Sequence, residues 1–205
     1  MFKQLEWAKK LQAISQAGHT YSKDKFDLER FDQIQQIAFE MLSEISDEPI
    51  EKIANLLIPE TGYPTPKVDV RAGVIRDNKI LLVREREDGC WTLPGGWADV
   101  CETPSRGVIR EVLEESGFVV RQPRLIAVKD RDVHPYTPKY PFHIYKMIFL
   151  CELVSGEAKA NIEISEIDFF SFDNLPELSQ GRTLPDDIKL IFEHANNPAL
   201  DVYID

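Results

Sequence analysis

The chain has 205 residues, 43% of them apolar, and a formal net charge of −11 at pH 7. That length accommodates one large domain, or a medium domain with an appendage, and the apolar share is ample for a core. The negative balance opposes nonspecific binding to nucleic acid or anionic membrane. The three cysteines (Cys90, Cys101 and Cys151) show no metal-ligand spacing and read as free thiols in a reducing compartment.

Met1 to Lys10 carries Lys3, Glu6, Lys9 and Lys10 and lacks the apolar run of a signal peptide. The most apolar stretch, Met147 to Leu153, is interrupted by Glu152 and is too short to span a bilayer. The location expected from these features is the cytoplasm.

The first sixty residues read as helical. Leu5, Ala8, Leu11 and Ile14 follow three-residue steps with Trp7 alongside, and Gly18 is the expected stop. After a connection over Thr20–Lys25, Phe31, Ile34, Ile37, Ala38, Met41, Leu42 and Ile45 mark a longer amphipathic helix. Pro49 opens a third with Ile53, Leu56 and Leu57. This segment has 7 basic and 11 acidic residues. It is marginal as an independent core, so its apolar stripes are expected to be covered, with a homodimer the favoured arrangement. A proline-rich linker at 61–66 follows.

From Val68 the pattern turns to strands. Val68, Val70, Ala72 and Val74 alternate, Asp77-Asn78 can turn the chain, and Ile80–Val83 can return as the second arm of a hairpin. Trp91–Leu93, Phe118–Val120, Leu125–Val128, Phe142–Leu150 and Asp168–Phe172 are further expected strands. Leu184-Pro185 introduces a final helix, Asp186 to Ala195. Mixed strands with one helix mid-domain and one at the end predict an α/β/α sandwich.

Between these strands lies GWADVCETPSRGVIREVLEESGF, Gly96 to Phe118. Thr103-Pro104 has the form of an N-cap followed by proline at the first helical position, and Gly117 that of a C-terminal stop. At 100° per residue, Ile109, Val112 and Leu113 fall on one side of the intervening helix, and Glu111, Glu114 and Glu115 fall opposite. Three like charges on one stripe disfavour a bare helix. They suit a hard divalent cation, which takes oxygen ligands and shares phosphate oxygens with a substrate. Leu93-Pro94-Gly95-Gly96 can turn tightly just ahead of this helix and bring backbone carbonyls close to an ion.

Every fixed position of G-x5-E-x7-R-E-U-x-E-E-x-G-U, where U is apolar, is filled from Gly96 onward, and the stretch resembles the Nudix box. The resemblance implies a Nudix α/β/α sandwich with a mixed sheet, here preceded by a small all-helical N-terminal domain. The implied limits are 1–60 for the helices, 61–66 for the linker and 67–205 for the hydrolase domain. It implies Mg2+ or Mn2+ held by Glu111, Glu114 and Glu115, with a backbone carbonyl from Gly95 or Ala98 completing the shell. Glu102 and Arg110 would form the box's internal ion pair. Nudix enzymes often draw a further acid from the segment before the last strand, where Glu163 and Glu166 lie.

The phrases around Trp7–Asp24, Trp91–Val100 and His143–Lys146 resemble a bacterial Nudix subfamily whose members are labelled ADP-ribose pyrophosphatases, with relatives acting on CDP-choline. Cys101, where glycine is expected, and Gly107, where alanine is usual, depart from its pattern. The implied reaction is hydrolysis of a phosphoanhydride in a nucleoside diphosphate linked to another group, releasing a nucleoside monophosphate and a phosphate ester. A substrate-contacting role is expected in the loop Lys129–Pro141. Lys129, Arg131 and Lys139 could meet phosphate, Tyr136 or Tyr140 could stack on a base, and His134 is a weaker candidate.

Two other readings compete: a nucleotide-sensing Nudix protein without turnover, and an RNA-processing Nudix enzyme using the same metal site. The intact box opposes the first. The acidic balance opposes high affinity for long RNA, whose phosphates require Lys and Arg.

Overall fold

A computed structural model describes residues 3–205. The chain forms two compact units. One comprises the N-terminal segment up to Lys67 together with Asp132–His143, and the other comprises Val68–Arg131 and Ile144–Asp205.

In the first unit, α1 (Lys3–Tyr21), α2 (Lys25–Ser46) and α3 (Ile50–Leu57) build a small core. Leu5, Ala8, Phe39, Leu42, Ile53 and Leu57 are its buried members. Asp24 caps α2 by accepting from the N–H groups of Phe26 and Asp27 at 2.9 and 3.1 Å. Gly18, the expected stop, is interior to α1. A Cβ there would meet the Phe31 ring at 2.4 Å, so glycine permits the close crossing of α1 and α2 and does not end the helix. The proline-rich stretch is tied to α1, where the Gly62 N–H donates to Thr20 Oγ1 at 3.0 Å and Gln16 donates back to Gly62 O at 3.2 Å. Asp132–His143, which the sequence reading placed within the 67–205 domain, groups with these helices. Lys9 donates to Asp132 at 2.6 Å and to Phe142 O at 2.7 Å.

Part of each apolar stripe stays uncovered. Trp7, Ile14 and Ile37 are 53%, 52% and 50% exposed, amounts that leave the segment's apolar faces incompletely buried in the single chain.

The second unit is a mixed sheet between two helices. Its strands are β1 (Lys67–Arg76), β2 (Lys79–Glu85), β3 (Trp91–Thr92), β4 (Phe118–Asp130), β5 (Ile144–Gly156), β6 (Ile164–Phe170) and β7 (Tyr203–Ile204). The order is β3-β2-β1-β5-β4-β7, with β6 paired to β2. Asp77 and Asn78, at φ 52° and 57°, make the two-residue turn between β1 and β2, and Ile75 faces Ile80 across it.

On one face, Val108 and Val112 of α4 (Pro104–Ser116) pack with Val70, Ala72, Val74 and Leu81. On the other, Ile188 and Ile191 of α5 (Pro185–Asn196) pack with Ile80, Leu82, Ile126 and Ile148. The expected strands Phe118–Val120 and Leu125–Val128 are one element. Register shifts, with Gln122 at φ 49°, absorb the irregularity ahead of Pro123. The parallel addition of β7 to β4 was not anticipated; it pairs Tyr203 with Ala127 and Ile204 with Val128. No helix among the described residues is long and apolar enough to cross a membrane.

Candidate active site

The box folds as a turn, a loop and a capped helix. The Thr103 side chain accepts from Arg106 N at 3.3 Å, and Gly117, at φ 77°, closes α4 with its N–H on Leu113 O. The preceding turn is laced to β1. Ala72 N donates to Pro94 O and Val70 N to Gly96 O, both at 2.8 Å, and Ala98 N donates to Val68 O at 2.9 Å. Gly95 has φ 140°, and a Cβ there would lie 2.0 Å from Val70 O. Only glycine fits this approach.

The three glutamates of α4 differ in surroundings. Glu115 is buried, Glu111 is half-buried and Glu114 is exposed. The sequence reading set all three opposite an apolar side containing Leu113. The helix instead presents Val108, Val112, Glu115 and Ser116 to the interior, and Leu113 is 49% exposed. Glu115 Oε2 accepts the Gly95 N–H at 2.8 Å. Burial pushes the Glu115 carboxyl up to about 8, against the opposing influence of Arg71 and the Gly95 N–H; Glu111 and Glu85 push in the same direction as burial. Burial also raises Glu111, opposed by Arg110.

Arg110 collects four carboxylates. It reaches Glu102 through Nε and Nη2 at 3.0–3.3 Å, Asp99 at 3.2 Å, and Glu111 and Glu114 at 2.9 Å each. The guanidinium fork therefore fixes the loop carboxylates against the helix. Gly107 leaves room for this arrangement, since a Cβ there would come within 3.3 Å of Glu102 Oε2. Gly96 does the same beside Glu111, whose carboxyl oxygens would lie 3.3 Å from an added Cβ. Cys101 takes φ 64° and is exposed, a backbone position that explains why glycine suits it. All three cysteines are free.

The other candidates fall in both units. Glu166 pairs with Arg84 at 2.5 Å across β2 and β6, and Glu163 is exposed just ahead of β6, its N–H on Asn161 Oδ1. Lys129 is buried in an ion pair with Asp187 at 2.7 Å, and Arg131 donates to Gly181 O at 3.3–3.4 Å. His134, Tyr136 and Tyr140 belong to the first unit. Tyr136 is fully buried and meets His134 edge-on, Tyr140 packs near Phe142, and Lys139 donates to His134 O at 3.4 Å.

Four residues not singled out from the sequence add charge around the box. Asp69, Arg71 and Lys146 are buried together, and Arg71 acts electrostatically on Glu115, as does half-buried Glu85. Burial raises the Glu85 carboxyl, against Arg182 and Arg71. Arg182 holds Glu85 at 3.4 Å.

The donor set suits a hard divalent cation. Glu111 and Glu115 supply carboxylate oxygens on one stretch of α4, and the glycine turn brings backbone beside them. Residues 65–191 match the NUDIX domain, and residues 3–57 match the UDP-X-like N-terminal oligomerisation domain of Nudix proteins.

The chain belongs to the Nudix hydrolase family.

As a Nudix hydrolase it is a member of a group that generally uses divalent metal ions. The Bacillus subtilis protein YjhB, whose name assigns it provisionally as an ADP-ribose pyrophosphatase, is 41% identical over 96% of this chain and 94% of its own length. A solved UDP-X diphosphatase superposes with a TM-score of 0.64 at 34% identity, covering 99% of this chain and 98% of its own. An ADP-ribose pyrophosphatase from Streptococcus suis superposes with a TM-score of 0.63 at 37% identity, covering 69% of this chain and all of its own. This Nudix hydrolase is thus similar to pyrophosphatases both in its catalytic domain and along its whole length.

Proposed function

We propose that the protein hydrolyses the diphosphate bridge of a nucleoside diphosphate linked to a second group, with ADP-ribose as its preferred substrate and CDP-choline as the nearest comparator. The products are a nucleoside monophosphate and a phosphate ester. The observation that carries this reading is the convergence of Glu111 and Glu115 of α4 on the Gly95–Gly96 turn, within a chain similar along its whole length to diphosphate-cleaving relatives.

Glu111 and Glu115 would hold Mg2+ or Mn2+, with Glu114 beside them and the backbone carbonyl of Gly95 or Ala98 contributing. When bound, the cation supplies neutralisation of phosphoryl charge and a polarised water. The residues of the chain set the geometry. The Gly95 N–H holds one Glu115 oxygen, and Arg110 holds one Glu111 oxygen, which leaves the second oxygen of each carboxylate for the cation. Glu102 orients Arg110 and so acts through it. Glu163 is proposed as the further acid that takes a proton from the attacking water, since Glu166 is engaged by Arg84.

We further propose a homodimer formed through the helical unit. The match to an oligomerisation domain and the half-exposed Trp7, Ile14 and Ile37 support it.

A substrate panel tests the function. ADP-ribose, CDP-choline, a UDP-sugar, dGTP and 8-oxo-dGTP are compared with Mg2+ and Mn2+. A diphosphate-bridged substrate is expected to exceed either triphosphate by at least about tenfold in kcat/KM, a margin of about 1.4 kcal/mol in transition-state binding. Preference for 8-oxo-dGTP would contradict the substrate class and leave the family intact.

A further inference from the structure

Asp69, Arg71 and Lys146 are side chains of β1 and β5, and they are only 6%, 5% and 2% exposed. Charges this deep persist only when paired and hydrogen-bonded. Asp69 takes the Arg71 fork through Nε at 3.1 and 3.2 Å and through Nη2 at 2.8 Å, and it accepts from Lys146 Nζ at 2.6 Å. The two cations hold the Asp69 carboxyl below the usual range despite burial. Burial pulls Lys146 down to about 8. Two cations therefore share one carboxylate, and the group carries a surplus of positive charge.

The remaining donor of the fork leaves the triad. Arg71 Nη1 donates to Leu93 O at 3.1 Å. Leu93 opens the turn whose Pro94 and Gly96 carbonyls accept from the β1 residues on either side of Arg71. Gly95, in that same turn, donates its N–H to Glu115. Hydrogen bonds therefore link Lys146 through Asp69 and Arg71 to Leu93, and the backbone of the Leu93–Gly96 turn carries the link to Glu115.

We propose that Asp69, Arg71 and Lys146 form a buried positioning triad that fixes the Leu93–Gly96 turn and so holds Glu115 ready for the divalent cation. The three are positioning residues, because each acts through the turn. The proposal rests on the assignment of Glu115 to the cation site. Lysine at position 71 keeps the charge but cannot supply three donors in a plane to Asp69 and Leu93 at once. Arg71→Lys therefore separates orientation from charge.

The test uses the full chain and reads two quantities. Free Mn2+ is measured by electron paramagnetic resonance to give a binding constant without substrate. ADP-ribose turnover against Mn2+ then gives kcat and KM at saturating metal. Arg71→Lys is expected to weaken Mn2+ binding by about tenfold or more, the range typical of groups that orient metal ligands. Its kcat should recover at high Mn2+ while KM for ADP-ribose stays unchanged. Unchanged Mn2+ binding with a raised KM would assign Arg71 to the substrate and overturn the proposal. Unchanged Mn2+ binding with a lowered melting temperature alone would reduce the triad to a fold element and also overturn it. Should Arg71→Lys fail to fold, Lys146→Gln frees the Asp69 oxygen that anchors the fork from β5 and must weaken Mn2+ binding in the same direction.

Glu115→Gln, measured alongside, distinguishes the two assignments. Wild-type Mn2+ affinity in that variant contradicts the cation site itself. Lost affinity there, with full affinity in Arg71→Lys, overturns the triad only.

Discussion

The Glu115 carboxylate and the Gly95 N–H, twenty residues apart in the chain, meet at 2.8 Å. This contact joins the last turn of α4 to the turn that precedes the box loop. It exists because Gly95 can take φ 140° with its α-carbon pressed against β1. Gly95→Ala would set a Cβ 2.0 Å from Val70 O, a backbone atom that cannot yield without moving β1. The expected result is a displaced turn, a loss of turnover of about 100-fold or more, similar in scale to removing a strong electrostatic stabiliser, and a lower melting temperature. Gly89→Ala is the control. Gly89 is also at positive φ, but an added Cβ there meets nothing within 4 Å, so turnover should be retained. Equal turnover in Gly95→Ala and Gly89→Ala would remove the turn from the site.

Glu115 also predicts a pH dependence of stability in the metal-free protein. Burial raises its folded pKa to about 8, above the unfolded value of 4.5. Between these values the folded state binds a proton that the unfolded state does not, so this group makes stability fall as pH rises through the window. Above about pH 8 both states are ionised and the contribution levels off. The melting temperature of wild type minus that of Glu115→Gln, which cancels the other titrating groups, should decrease from pH 5 to pH 8 in chelator. A saturating divalent cation should abolish the decrease, because the cation takes the place of the proton. A difference that is flat with pH in chelator contradicts the buried environment assigned to Glu115.

The half-exposed Trp7, Ile14 and Ile37 predict self-association. Light scattering at micromolar concentration should give the mass of two chains. Ile14→Glu combined with Ile37→Glu should give one chain with turnover retained, since neither residue belongs to the box. A monomeric wild-type chain would contradict the dimer.

The sequence declared the ends of the box helix, because those signals are local. Thr103, Pro104 and Gly117 mark its ends, and the Asp77-Asn78 turn sets the β1–β2 register. What it concealed depended on distant partners. Asp69 and Arg71 alternate with Val68, Val70 and Ala72, a pattern that reads as one polar and one apolar face. In a central strand covered by helices on both sides, those charges had to be buried and paired, and Lys146 lies 77 residues away. Gly18 read as a helix stop because its close neighbour, Phe31, belongs to another helix. The two residues of β7 are too few to carry a period. The grouping of Asp132–His143 with the helices turns on Lys9, more than a hundred residues earlier. The full burial of Tyr136 was equally invisible in a loop whose composition reads as polar.

The most direct test of the account is Mg2+-dependent hydrolysis of ADP-ribose by wild type and by folded Glu115→Gln, with products separated by chromatography. The account predicts AMP and ribose 5-phosphate from wild type, no products in chelator, and a loss of about 100-fold or more in Glu115→Gln. Equal turnover by the two proteins, or turnover that persists in chelator, would contradict it.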